Sequence, residues 1–172
     1  MLQPAEAEAL LTEDERHRDV VFPYINGKDL NSTPEQHPSR YVVNFHDWEE
    51  DYCEREYSRC YSLVRERVKP QRDAVSDKIC RDRWWLFARS RAELYSAIQH
   101  MEQVIVVAQV SKTLAFVFSR NDKVFDQKVV VFALNSFGHF ALLQSTIHAQ
   151  WAWKYCLTMK ADLTYTPTAT FD

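Results

Sequence analysis

The spacing of apolar and polar positions changes several times along the chain, and each change predicts an element. Residues 4–15 (PAEAEALLTEDE) read as a short acidic helix with Pro4 near its start. The run DVVFPYINGKDLN is apolar, broken at Pro23 and turned at Asn26-Gly27. Residues 40–46 (RYVVNFH) predict a strand and residues 48–68 a long helix. On that helix Tyr52, Cys53, Tyr57, Cys60, Tyr61, Val64 and Val68 recur at intervals of three and four. Lys69-Pro70 should interrupt it, because proline disfavours helical backbone in the residue before it. Residues 70–78 then read as another turn or two. Trp84–Phe87 forms a short apolar segment, and residues 90–101 a helix with Ser90 as N-cap.

The middle of the chain is rich in β-branched and aromatic residues. VIVVAQV (104–110), TLAFVF (113–118) and KVVVFAL (128–134) predict strands, with a turn at Asn121-Asp122-Lys123. Their near-continuous apolar character suggests strands covered on both faces. Residues 136–155 read as one long amphipathic helix, with Phe140, Leu143, Ile147, Trp151 and Tyr155 on its apolar side. The tail LTYTPTATFD reads as strand-like. No repeat or linker interrupts the pattern. The expected class is α+β: a single domain, residues 1–172, with a mixed β-sheet and packed helices.

Composition narrows the function. A chain of 172 residues with 46% hydrophobic content can bury a core. No apolar run is long enough to predict a membrane-crossing helix, and the acidic opening residues do not read as a secretory signal, so a cytoplasmic location is expected. Gly27 and Gly138 are the only glycines, which excludes a glycine-rich phosphate loop. Cys53, Cys60, Cys80 and Cys156 make no C-x-x-C pair, and the six histidines are scattered, so free buried thiols are expected rather than a metal site. No G-x-S-x-G elbow, methyltransferase loop or strand-borne nuclease acid set is present, so the chain reads as no enzyme by itself.

Charge is uneven. The overall balance is −3. Residues 1–60 hold fourteen acids and six bases, a net of −8, whereas residues 65–91 hold nine bases and four acids, a net of +5. A local basic patch on an acidic chain can steer a polyanion to one face; the alternative is a solvated helix face laced with ion pairs.

Several segments in collinear order resemble one family: PYINGKDLN (23–31), RYVVNFHDW (40–48), VKPQRD (68–73), RDRWWLFARSRAELYSAI (81–98), VIVVAQVSK (104–112), LLQSTIHAQWA (142–152) and LTYTPT (163–168). The resemblance is to the target recognition domain of MmeI-like (type IIL) restriction–modification enzymes. Such enzymes join a nuclease, an adenine-N6 methyltransferase, a helical spacer and a DNA-reading domain. The resemblance implies an excised DNA-reading module whose partners are double-stranded DNA and those other domains. It places S-adenosylmethionine and Mg²⁺ in the parent enzyme and no cofactor in this fragment.

It also organises the candidate residues. Arg81, Arg83, Arg89 and Arg91 flank Trp84-Trp85, and with Lys69, Arg72, Ser111 and Lys112 they are expected to contact phosphate, which positions a duplex. The alternative pairs the arginines with Asp82 and Glu93 around two core tryptophans. His148 and Gln144 read as core or capping residues. Lys160 and Asp162 are the expected base readers, because the family carries base-choosing side chains just before the pair Tyr165-Thr166. Lysine donates and guanine offers the acceptors O6 and N7; aspartate accepts and cytosine offers its N4 amino group. On an extended segment these two side chains would point the same way. The competing functions are a protein–protein docking domain, suggested by the acidic first sixty residues, and a degenerate nuclease.

Overall fold

The computed structural model describes residues 1–32 and 36–171. In chain order the elements are α1 (Pro4–Glu13), a 3-10 turn (Glu15–Asp19), β1 (Val21–Ile25), α2 (Gly27–Ser32), β2 (Arg40–Val43), α3 (Glu50–Glu56), α4 (Ser58–Asp73), α5 (Lys78–Asp82), α6 (Ala92–Ile98), β3 (Gln103–Ala108), β4 (Val110–Ser111), β5 (Val117–Arg120), β6 (Val124–Phe125), β7 (Val129–Phe132), α7 (Phe137–Leu143), α8 (Thr146–Tyr155), β8 (Leu157–Met159), β9 (Asp162–Thr164) and α9 (Pro167–Phe171). The class is α+β. Two compact units are interleaved in sequence: residues 1–23 with 40–91, and residues 24–39 with 92–172. Among the described residues no helix is long and apolar enough to cross a membrane.

The first unit is mostly helical. Leu2, Leu10, Val20, Phe45, Cys53, Tyr57, Cys60, Tyr61, Val64, Trp84 and Trp85 share its core. The predicted helix 48–68 is two helices. Tyr57 leaves helical geometry at φ −127°, ψ 42°, while its hydroxyl donates to Asp19 Oδ2 at 3.0 Å. The apolar stripe is nevertheless largely buried as its spacing predicts, with Tyr52 the exposed member. Pro70 does not end α4. It sits in the last turn and forfeits the one backbone bond that an N–H there would make to the Glu66 carbonyl, while Gln71 Nε2 donates to the Arg67 carbonyl at 3.1 Å. All four cysteines are free, and three are buried. Burial pushes the Cys53 thiol up to about 11 and the Cys60 thiol to about 12.

The second unit is built on an antiparallel sheet in the order β5-β3-β7, with Ile105 opposite Phe118 on one side and Phe132 on the other. Five consecutive residues of β3 are buried, as expected of a strand covered on both faces. The predicted strand 113–118 starts late, at Val117, because the preceding loop bonds elsewhere: Phe116 N donates to Gln144 Oε1 at 2.9 Å. β6 was not legible; its two residues pair in parallel with Tyr24 and Ile25, about a hundred positions away in sequence. Ser90 does not cap α6, since Arg91, at φ 52°, stands between it and the first helical residue.

Two further differences bear on function. The predicted helix 136–155 breaks at Gln144-Ser145, where the Ser145 hydroxyl accepts from His148 N at 3.1 Å and starts α8 anew. The tail is not simply extended. β8 and β9 form a hairpin, β4 pairs on the far side of β9, and α9 then begins at Pro167, a residue suited to a first helical position.

Candidate nucleic-acid interface

In the first unit the basic stretch is anchored by its two tryptophans. Trp84 and Trp85 are 4% and 9% exposed, so both are core residues. Trp84 Nε1 donates to Glu50 Oε1 at 3.1 Å, and the same oxygen accepts from the Tyr61 hydroxyl at 2.8 Å. Trp85 Nε1 donates to the Trp48 carbonyl at 2.9 Å. Both of these indole donors are thereby satisfied, and the cations on either side ride on a fixed scaffold.

Those cations differ from their neighbours in what balances them. On α3 and α4, Arg55, Arg59, Arg65 and Arg67 each pair with a glutamate, at 2.8, 3.7, 3.9 and 2.6 Å. The Arg67 bond holds the Glu6 carboxyl near 2. Beyond residue 69 the pattern changes. Arg81 Nη1 donates to the carbonyls of Val75 and Ser76 at 2.8 and 3.1 Å, Arg72 to that of Leu86 and Arg83 to that of Asp47, both at 3.4 Å. Carbonyls orient a guanidinium without cancelling its charge. No salt bridge engages Arg72, Arg81, Arg83 or Arg89 among the described residues, and Asp82 does not pair with them. Lys69 lies 5.0 Å over the Trp84 ring and 3.8 Å from Asp73. The net positive field of the 65–91 stretch is therefore concentrated on its C-terminal part.

In the second unit the remaining candidates gather on the small sheet β4-β9-β8. Ser111 lies opposite Leu163, and Asp162 opposite Met159. Lys112 follows Ser111 directly, just past the end of β4. Leu163 and Tyr165 are buried, which turns their neighbours Asp162 and Thr164 the other way. The Tyr165 hydroxyl sits 3.0 Å from His148 Nε2, and its ring packs edge-on to Phe116. Burial pushes the Tyr165 hydroxyl up and the His148 imidazole down, disfavouring the charged form of each.

Lys160 is exposed in the two-residue turn between Met159 and Asp162, at φ 57°. The expected extended geometry is therefore absent. A turn, not an alternation of faces, sets the relation of Lys160 to Asp162. Ser111 is 8% exposed, and its hydroxyl lies 2.6 Å from the Thr113 carbonyl and 3.0 Å from Asn31 Oδ1. Its donor is taken up inside the unit, leaving Lys112 as the exposed member of that pair. Asn31, whose Nδ2 donates to the Val110 carbonyl at 3.1 Å, had no local signal as a supporting residue. Gln144 holds the loop after Lys112 through Phe116 N and the Leu114 carbonyl.

The model of the family described as MmeI, target recognition domain, matches residues 1–172. No curated protein matches the chain. A solved structure of the type IIL restriction–modification enzyme MmeI in complex with DNA is similar in fold, with a TM-score of 0.67 at 14% sequence identity. The likeness covers 99% of this chain and 22% of that one, so this chain spans about a fifth of the length of the enzyme it matches.

Proposed function

This chain belongs to the family of MmeI target recognition domains, and from that premise we propose that it is the DNA-sequence-reading module of a longer restriction–modification polypeptide. The observation that carries the reading is electrostatic. Among the described residues, four arginines beyond residue 69 form no salt bridge, while those just before them are paired with glutamates. Uncancelled guanidinium groups on a rigid support suit phosphate, and each contact releases counterions.

Arg72, Arg81, Arg83, Arg89 and Arg91, with Lys69, grip the phosphates in this reading. Lys112 does the same from the second unit, and Ser111 positions it through the Asn31 and Thr113 bonds rather than touching DNA. Base choice falls to Lys160 and Asp162 at the hairpin turn. Lys160 donates to guanine O6 and N7, and Asp162 accepts from cytosine N4. Methyl transfer and cleavage, with S-adenosylmethionine and Mg²⁺, belong to other domains of the polypeptide. The residues present do not fit either group: the two glycines stand far apart, and among the described residues no three His, Cys, Asp or Glu side chains converge.

The test exchanges the two charges, Lys160→Glu with Asp162→Arg, in the full-length enzyme. Methylation is then read across a library of targets that differ by one base pair. One target position should switch preference toward the inverted pair while the others stay unchanged. A fully active double variant with an unaltered target would refute the assignment.

A further inference from the structure

Helix α8 carries an apolar stripe that the described residues of its own unit leave exposed. Ile147, Trp151 and Tyr155 stand at successive four-residue intervals, the spacing that predicts a core-facing side. Their exposures are instead 83%, 50% and 46%. Because Ser145 restarts the helix, the buried side is the one bearing Ala152, with His148 bonded inward to Tyr165. The chain runs on from the stripe into β8, where Leu157 and Met159 are also exposed.

What such a surface can bind follows from its charge. From Ser136 to Met159 the chain holds one charged residue, Lys154. A duplex would need several cations, and a membrane surface a basic flank along the helix. An interface core between protein segments wants the opposite: few charges and many aromatics. Trp151 is already prepared for it. Its Nε1 donates to the Thr170 carbonyl at 3.0 Å, and its ring lies 4.4 Å from that of Tyr155. A partner can therefore cover the ring without orphaning a donor.

We propose that this stripe is an intramolecular docking surface, covered in the longer polypeptide by an apolar, uncharged segment outside this chain. The inference rests on the reading that the chain is one module of such a polypeptide, of which a matched enzyme supplies more than three quarters beyond the aligned part.

The test places a thiol at the stripe, Ile147→Cys, in the full-length polypeptide. Maleimide labelling at that site is followed by peptide mass spectrometry, under native conditions and in urea. Native labelling at least tenfold slower than unfolded labelling is expected, independent of protein concentration and of added duplex. Equal rates would overturn the proposal. Protection that grows with concentration would assign the face to a second copy, and protection that needs duplex would assign it to DNA; either result also overturns it. The outcome is separable from the base-reading assignment: an unchanged target in the charge-exchanged variant, with Ile147→Cys still protected, sinks the readers and leaves the docking surface standing.

Discussion

Replacing Lys160 by glycine should raise stability and lower specificity together. Lys160 occupies left-handed backbone at φ 57° in a two-residue turn. That conformation costs a residue with a Cβ roughly 1–2 kcal/mol, and glycine escapes the cost. Glycine in turn loses more freedom on folding, by about 0.4–1 kcal/mol relative to alanine at a compatible site. The difference is a net gain of roughly 0.5–1 kcal/mol. For a chain of this size, at about 2–4 °C per kcal/mol, the melting midpoint should rise by about 1–4 °C. The lost amine has the opposite effect on DNA. A good base contact discriminates by about 1–3 kcal/mol, so preference at one target position should fall roughly 5- to 150-fold. Differential scanning calorimetry reads the first quantity, and methylation across single-base target changes reads the second. Lys160→Ala separates the causes: it removes the amine and keeps the Cβ, so specificity should fall with little change in midpoint. A lower midpoint for Lys160→Gly would refute the strained turn, and an unchanged target would refute the reader.

The double substitution Arg83→Ala with Arg89→Ala should weaken binding to all duplex sequences alike and reduce the salt slope by about one per lost phosphate contact, read by fluorescence anisotropy across a salt series; loss confined to particular sequences would make these arginines readers instead. Burial holds His148 below its ordinary 6.5, so its folded form binds protons less readily than its unfolded form. Its contribution to stability is complete above 6.5 and falls away as pH drops below that value. The melting midpoint should therefore fall more steeply between about pH 7.5 and about pH 5.5 in the native protein than in His148→Gln, and equal slopes would contradict the assignment.

Much of this protein is written locally. Five buried residues in a row make β3 recognisable as a doubly covered strand, because apolar side chains on both faces need cover on both. The three-and-four spacing of Cys53, Tyr57, Cys60, Tyr61 and Val64 marks a helical core face, and Trp84-Trp85 reads as core because two large indoles are costly to leave wet. The α+β class, the basic stretch and the family resemblance all follow from such short-range order. Only the tertiary structure decided the rest, since it depends on partners far apart in the chain. Tyr57 breaks its helix while donating to Asp19, and β6 exists through Tyr24 and Ile25. Local pattern also could not tell that Arg67 is paired with Glu6, sixty-one residues away, while Arg83 and Arg89 form no salt bridge among the described residues. The stripe on α8 is the sharpest case. Its spacing announces an apolar face, but whether that face is buried depends on which atoms come to lie against it, and periodicity carries no information about those atoms.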